Sequence, residues 1–165
     1  IPRTRWYNNT FYRSASNHQY AITFLKQTNY DGEDAEVMNN LFIACGEFDS
    51  NNYGWYYVST NLPGRFTGDY NYVAGLPPSY PGKTGFSEPR GINGGDPKFV
   101  NAAAYDFMLS EDSPALEKAL TLTGFDYDLR GWKRPVGKKW DIGAYEDATT
   151  PPPAPKPPGR VRPKK

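Results

Sequence analysis

The sequence predicts an all-β fold: a partial parallel β-helix of about three coils, closed by an irregular C-terminal cap that contains a short helix. Three observations lead there. An Asn-centred segment returns at a fixed interval, as "YNNTFY" from Tyr7, "MNNLFI" from Met38 and "DYNYVA" from Asp69, each 31 residues after the last. Between these segments lie β-favouring runs, "YAITFL" from Tyr20 and "GWYYVST" from Gly54. Polar corners such as "SASNHQ" and "TNYDGED" separate them.

Taken in chain order, the first segments are the coils. The 31-residue spacing pairs Asn9 with Asn40 and Asn71, and Phe11 with Phe42 and Val73. Each period then holds at least two short strands, and each unit buries its face only against its neighbours. Asparagine suits the corner because it tolerates left-handed backbone angles. Stacked on its equivalents, its amide donates to one neighbour and accepts from the other, so a buried polar group stays satisfied. An ordinary β-sandwich with Asn-rich turns is the competing reading of the same repeat.

From Gly75 the pattern dissolves. "GLPPSYPGKTGFSEPRGINGGDPKF" is dense in Gly and Pro and reads as a long surface excursion. "SPALEKAL" from Ser113 predicts a short helix, with Ser113 as N-cap, Pro114 in the first turn and Gly124 beyond its end. Its apolar face, Leu116, Ala119 and Leu120, is expected to pack on the end of the core. The organisation is therefore coils over residues 1–75, a long loop and cap over 76–147, and a Pro-rich basic tail over 148–165 that reads as disordered.

Charge and composition narrow the function classes. Five of the 19 basic residues lie in the final "PPPAPKPPGRVRPKK", leaving 14 in the body against all 18 acidic residues. A mildly acidic body does not predict a nucleic-acid partner, although the basic tail suits an anionic polymer or membrane surface. There is no apolar run long enough for a transmembrane segment. The single Cys45, in "LFIACG", excludes an internal disulfide and reads as a core residue, and one Cys with a distant His18 does not predict a metal site. The chain begins inside a patterned segment, so it reads as a fragment or processed product whose N-terminal coils lie upstream.

Four later segments, "DPKFVN" from Asp96, "YDFMLSEDSPAL" from Tyr105, "FDYDLRGWKRP" from Phe125 and "WDIGAYE" from Trp140, occur in this order. Together they resemble the C-terminal end of secreted bacterial right-handed parallel β-helix proteins of the pectate-lyase-like superfamily. "DLRGWKR" supplies the Asp128, Gly131 and Arg134 of an Asp-x-x-Gly-x-x-Arg pattern, and "DIGAYE" is complete. The "NNTF", "NNLF" and "GDYNYV" segments resemble coils of the same superfamily. The resemblance implies a secreted or cell-surface protein with polysaccharide as partner. It spans polysaccharide lyases, glycoside hydrolases, uronate-polymer epimerases and surface proteins without known chemistry. It also implies that catalytic groups sit in middle coils, before Ile1, and no motif here carries a family catalytic residue. The leading expectation is the C-terminal fragment of a carbohydrate-active protein, itself mainly structural; the alternative is a noncatalytic surface or adhesion module.

The remaining chemistry is read from the residues. Lyase chemistry needs a base and a neutraliser for the uronate carboxylate, either Ca²⁺ or Arg/Lys. Lys26 and Arg65 follow strands and are candidates, with a solvated strand-end cation as the simpler reading. Asp31, Glu33, Asp34 and Glu36 in "DGEDAE" form an oxygen-rich corner for Ca²⁺ or a plain acidic turn; the EF-hand spacing is absent. For hydrolysis, Glu47, Asp49 and Asp69 are carboxylates of unknown separation. Trp55 and Tyr57 share one face of a predicted strand, and Tyr20 extends the stripe from the preceding coil. Such rings offer platforms for sugar faces, or else fill and cover the core. The substrate-binding candidates are thus Tyr20, Lys26, Trp55, Tyr57 and Arg65. In the cap, Asp128, Arg134, Asp141 and Glu146 are expected to tie irregular backbone by charge-assisted hydrogen bonds, with Trp132, Trp140 and Tyr145 covering apolar surface.

Overall fold

A computed structural model of the chain describes residues 3–13, 21–24, 34–45, 56–58, 66–74 and 88–146. These residues are strand-rich, and their helix content is one 3-10 turn, Ala102–Ala104. The 31-residue repeat of the sequence is the register of the sheets. Strands β1 (Arg3–Tyr7), β4 (Asp34–Met38) and β7 (Phe66–Asp69) pair in parallel, Trp6 beside Val37 and Val37 beside Gly68. A second parallel sheet holds β2 (Thr10–Tyr12), β5 (Leu41–Ile43) and β8 (Tyr72–Ala74), with Phe11 beside Phe42 beside Val73. The shorter β9 (Ile92–Asn93) pairs next to β8. A third sheet pairs β3 (Ile22–Phe24) with β6 (Tyr56–Val58), Ile22 opposite Tyr56. Each full period therefore holds three strands, one more than the minimum that the sequence predicts. The additional ones, "RTRWY", "DAEVM" and "FTGD", are short and interrupted by charged residues or Gly.

Alternation along the second sheet divides the core. Phe42 and Val73 point one way and pack with Ile22, Val37 and Cys45, while Phe11 stacks on Phe42 at 4.7 Å between ring centres. Cys45 is a buried free thiol in this cluster, as the sequence predicts. Leu41, Tyr72 and Ala74 point the other way, under the cap residues Leu109, Ala115, Ala119, Trp140 and Ile142. Each large side chain buried there stabilises the fold by about 1.5–3 kcal/mol.

Two expectations about the cap are corrected. Its apolar residues pack on Leu41, Tyr72 and Ala74 of the β2–β5–β8 sheet rather than only over an end of the core, and it reaches β2, where Ala144 N–H donates to Thr10 Oγ1 at 3.1 Å. The predicted helix at Ser113–Leu120 is instead an irregular turn. Ser113 does cap locally, its Oγ accepting from Ala115 N–H at 3.2 Å. The following N–H groups are taken from outside: Glu117 by Asp141 Oδ1 at 2.6 Å, Ala119 by Trp140 O at 2.9 Å and Leu120 by Asn39 Oδ1 at 2.8 Å. Glu117 moreover has φ of 55°, which a right-handed helix excludes. The cap also contains an antiparallel pair, β10 (Phe99–Asn101) and β11 (Asp106–Leu109); Phe107 of β11 lies 4.9 Å from the Tyr12 ring, and Tyr105, in the connection between the two strands, 6.3 Å from it.

Candidate functional site

Between the β1–β4–β7 and β2–β5–β8 sheets, residues 31 apart form two columns of side chains. Asn8, Asn39 and Tyr70 occupy the first, all with left-handed φ, 51°, 60° and 58°. Asn9, Asn40 and Asn71 occupy the second. Asn9 donates its backbone N–H and its Nδ2 to Asn40 Oδ1 at 3.0 and 2.9 Å. Asn40 repeats the pattern on Asn71 Oδ1 at 2.9 and 3.0 Å. The second proton of each amide goes to a strand carbonyl, Asn40 to Trp6 O and Asn71 to Val37 O. The ladder thus has a direction: each Asn donates to the one 31 residues later.

A directional ladder needs an acceptor at its far end, and Glu88 supplies it. Asn71 Nδ2 reaches Glu88 Oε1 at 2.9 Å and Asn71 N–H reaches Oε2 at 3.2 Å. A carboxylate accepts at both oxygens, whereas an amide in that place turns a donor toward a donor. Tyr72 pairs with Ile92, so the residue after Asn71 in the column is Gly91. A Cβ there meets Glu88 Oε2 at 2.8 Å and Asn71 O at 3.3 Å, which leaves the space to the carboxylate.

The outer column holds the cap. Asn39 Nδ2 donates to Leu120 O at 2.8 Å, and Leu120 N–H donates to Asn39 Oδ1 at 2.8 Å. One amide thereby grips both backbone groups of one residue. Asn8, 31 residues earlier, has no such partner among the described residues: its Nδ2 and Oδ1 are buried and unpaired. Each such group costs about 1–3 kcal/mol. Asn8 lines a cleft of about 350 Å³ with Tyr7, Phe125, Tyr127 and Leu129. Tyr7 and Phe125 meet edge-on at 5.0 Å, and Tyr127 and Leu129 are 65% and 71% exposed. Arg134 also lines the cleft, and its Nε is a further buried atom without a partner.

The cap's charged residues are wired into backbone. Arg134 pairs with Glu146 and donates to Gly143 O at 3.0 Å. Glu146 also accepts from Val136 N–H at 2.9 Å and Asp141 N–H at 3.1 Å. Burial pushes the Glu146 carboxyl up from its ordinary range, and these donors with Arg134 pull it back. Burial likewise lowers the Arg134 guanidinium, against the pull of Glu146, Asp128 and Asp141. Asp128 accepts from the N–H groups of Arg130, Trp132 and Glu146 at 2.8, 2.8 and 3.1 Å. Arg130 lies over the Trp132 ring at 3.5 Å. Trp140 is buried, whereas Trp132 and Tyr145 are half-buried. Asp69 receives Tyr70 N–H, Arg90 N–H and the Arg90 guanidinium, so it too is held structurally.

Arg90, Lys118 and Lys139 line one cavity of about 570 Å³ beside Tyr70. Arg90, fixed by Asp69, lies over the Tyr70 ring at 4.6 Å. Among the described residues no cluster of three or more His, Cys, Asp or Glu is placed to hold a metal. The proposed acidic corner is corrected in part: Asp34 and Glu36 belong to strand β4, with Arg5 3.7 Å from Glu36, while Asp31 and Glu33 lie outside the described residues. Tyr20, Lys26, Trp55 and Arg65 also lie outside them, as do His18, Glu47 and Asp49. Tyr57 is described as backbone only, in β6 opposite Thr23. Sequence reasoning missed the Asn8 cleft and Glu88. The Asn-Asn doublets at 8–9 and 39–40 carried a signal for the cleft, since their first members repeat at the same interval as their second.

No protein-family model matches this sequence, and no curated protein matches it significantly. Among the described residues no helix is long and apolar enough to cross a membrane.

Proposed function

We propose that the chain is the closing portion of an extracellular right-handed parallel β-helix protein of pectate-lyase-like type that contacts polysaccharide. The observation that carries this reading is the Asn9–Asn40–Asn71 ladder, three windings in one register ending on the Glu88 carboxylate. A repeated corner amide with a dedicated terminator is what a stacked coil needs at its last turn. The cap that then folds back along the flank is a clasp, and its buried carboxylates are spent on backbone N–H groups rather than left for proton transfer. We assign sugar contact to Tyr20, Trp55 and Tyr57, with Lys26 and Arg65 as partners for uronate carboxylates; Ca²⁺ is a candidate cofactor of the parent protein.

The test is incubation with a panel of uronic-acid polymers, following both binding and the absorbance of unsaturated products. Binding that quenches tryptophan fluorescence and weakens in Trp55→Ala, with no product formed, is the expected result. Product formation overturns the structural role, and absence of any glycan binding removes the polysaccharide reading. The wiring of Asp69, Asp128, Asp141 and Glu146 also favours the second reading, a noncatalytic surface module, which the same panel separates by absence of binding.

A further inference from the structure

We propose that the cavity bounded by Arg90, Lys118 and Lys139 is a binding site for the carboxylate of an acidic saccharide. That a saccharide carries the carboxylate rests on the polysaccharide reading; the preference for an organic anion does not. The site shares no residue with Tyr20, Trp55 and Tyr57.

The charge balance points to an anion. Outside the final fifteen residues the chain holds 14 basic residues against 18 acidic ones. Yet three cations and a single carboxylate, Glu117, line this cavity. Glu117 is already engaged, its Oε1 accepting from Lys138 N–H at 2.9 Å. Arg90 is anchored on Asp69 through Nε at 2.8 Å and Nη2 at 2.7 Å, and its side chain is still 61% exposed. A guanidinium has further N–H donors for a planar carboxylate. Lys118 and Lys139 are exposed, and neither has an ion-pair partner among the described residues. Two unpaired cations beside an anchored one, on an otherwise acidic body, attract anionic ligands to this place.

The turn that carries Lys118 narrows the class of anion. Its backbone is strained at Glu117, with φ of 55°. The turn is held by Glu117 N–H on Asp141 Oδ1, Ala119 N–H on Trp140 O and Leu120 N–H on Asn39 Oδ1. These N–H groups are therefore taken, and a phosphate finds no cradle of backbone donors among them. Arg90 lies over the Tyr70 ring at 4.6 Å, so an aromatic ligand loses that stacking face. What the cavity still offers is side-chain cations, the exposed Thr121 and the apolar flanks of Ile92 and Leu120. Its volume of about 570 Å³ exceeds what a small inorganic ion fills. A ligand with a carboxylate, hydroxyl groups and an aliphatic ring face matches all three.

Titration of the full-length, isotope-labelled chain with trigalacturonate, followed by NMR, tests this. The expected result is saturable shifts of the Thr121 amide and the Arg90 Nε–H, weakening as salt is raised. Maltotriose, which is neutral, gives none. The double replacement Lys118→Ala with Lys139→Ala weakens binding about tenfold, as expected for losing two partly solvated ion pairs. Both lysines are exposed, so the Leu41 and Tyr72 amides stay protected from exchange in that variant. Absence of saturable shifts with trigalacturonate overturns the proposal, as does binding unchanged by the double replacement. Equal shifts with inorganic phosphate overturn it in favour of an unselective anion patch, and equal shifts with triglutamate in favour of an acidic peptide. Trp55→Ala keeps this site apart from the earlier reading: the cavity shifts persist in that variant. Tryptophan quenching without cavity shifts overturns this inference alone, whereas cavity shifts without quenching support it and remove the role of Trp55.

Discussion

Replacing Asn40 by Ala removes the central rung of the corner ladder. Asn40 is fully buried. Its side chain accepts two bonds from Asn9, at 3.0 and 2.9 Å, and donates to Trp6 O at 2.8 Å and Asn71 Oδ1 at 3.0 Å. Not every lost bond costs the same. Asn71 Oδ1 keeps the backbone N–H of Asn40 at 2.9 Å, and the Asn9 side chain is near enough to solvent to find water. The Asn9 N–H is left without its partner, at about 1–3 kcal/mol, while the Trp6 carbonyl keeps its place in the β1–β4 ladder, so the expected loss is about 2 kcal/mol. That is a large share of the roughly 5–15 kcal/mol that holds a typical domain together. Asn9→Ala is the internal control. It deletes only the Nδ2 bond, leaves Asn9 N–H on Asn40, and costs about 1 kcal/mol or less. Urea denaturation followed by circular dichroism and tyrosine fluorescence measures both. An Asn40→Ala loss no larger than that of Asn9→Ala refutes the ladder as a structural element.

Three further outcomes are expected. Gly91→Ala forces a Cβ onto Glu88 and costs about 1–3 kcal/mol by overpacking; combined with Glu88→Ala the losses are less than additive in the same denaturation assay, because the clash partner is gone. Glu146→Gln leaves the Arg134 charge buried without its counter-ion and costs about 3–5 kcal/mol, whereas the double replacement Arg134→Met with Glu146→Leu costs less than the single one. Hydrogen bonds from Lys98 and Ser110 hold the Asp112 carboxyl below its ordinary range. A depressed folded value means that the contribution is present above the unfolded pKa and fades as pH falls through the folded one. A carbon-detected NMR titration of Asp112 reads this directly, and Lys98→Met returns the midpoint toward the ordinary value.

The repeat was legible because its carriers are side chains with one job. Asn with an apolar residue two places on marks corner and inward strand position together, so β2, β5 and β8 and their register follow from spacing alone. Strands β1, β4 and β7 were not legible, because "RTRWY", "DAEVM" and "FTGD" share no residue pattern from one repeat to the next and are broken by charged residues or Gly; lateral pairing at the same interval holds them. Glu88 was hidden for a related reason. The last pass advances by 20 residues rather than 31, Tyr72 to Ile92, so the terminator does not fall where the repeat points. The helix at Ser113 failed where local propensity met stronger external acceptors, since Asp141, Trp140 and Asn39 take the N–H groups a helix needs internally. The charged cap residues were legible as a set, because carboxylates and Arg between Gly and aromatic residues in irregular sequence have backbone donors as their natural partners. The Asn8 cleft was not, because its walls come from segments more than a hundred residues apart.

The parallel pairing has a direct readout in three backbone bonds that repeat from strand to strand: Leu41 N–H to Asn9 O, Tyr72 N–H to Asn40 O and Ile92 N–H to Asn71 O, each 2.8 Å. Scalar coupling across a hydrogen bond, measured by NMR in the labelled chain, identifies the carbonyl bound to each amide. Correlations from Leu41 to Asn9, from Tyr72 to Asn40 and from Ile92 to Asn71 are the predicted result. Correlation of the Leu41 or Tyr72 amide with a carbonyl of its own winding, or exchange of these amides at the rate of an unfolded chain, contradicts it.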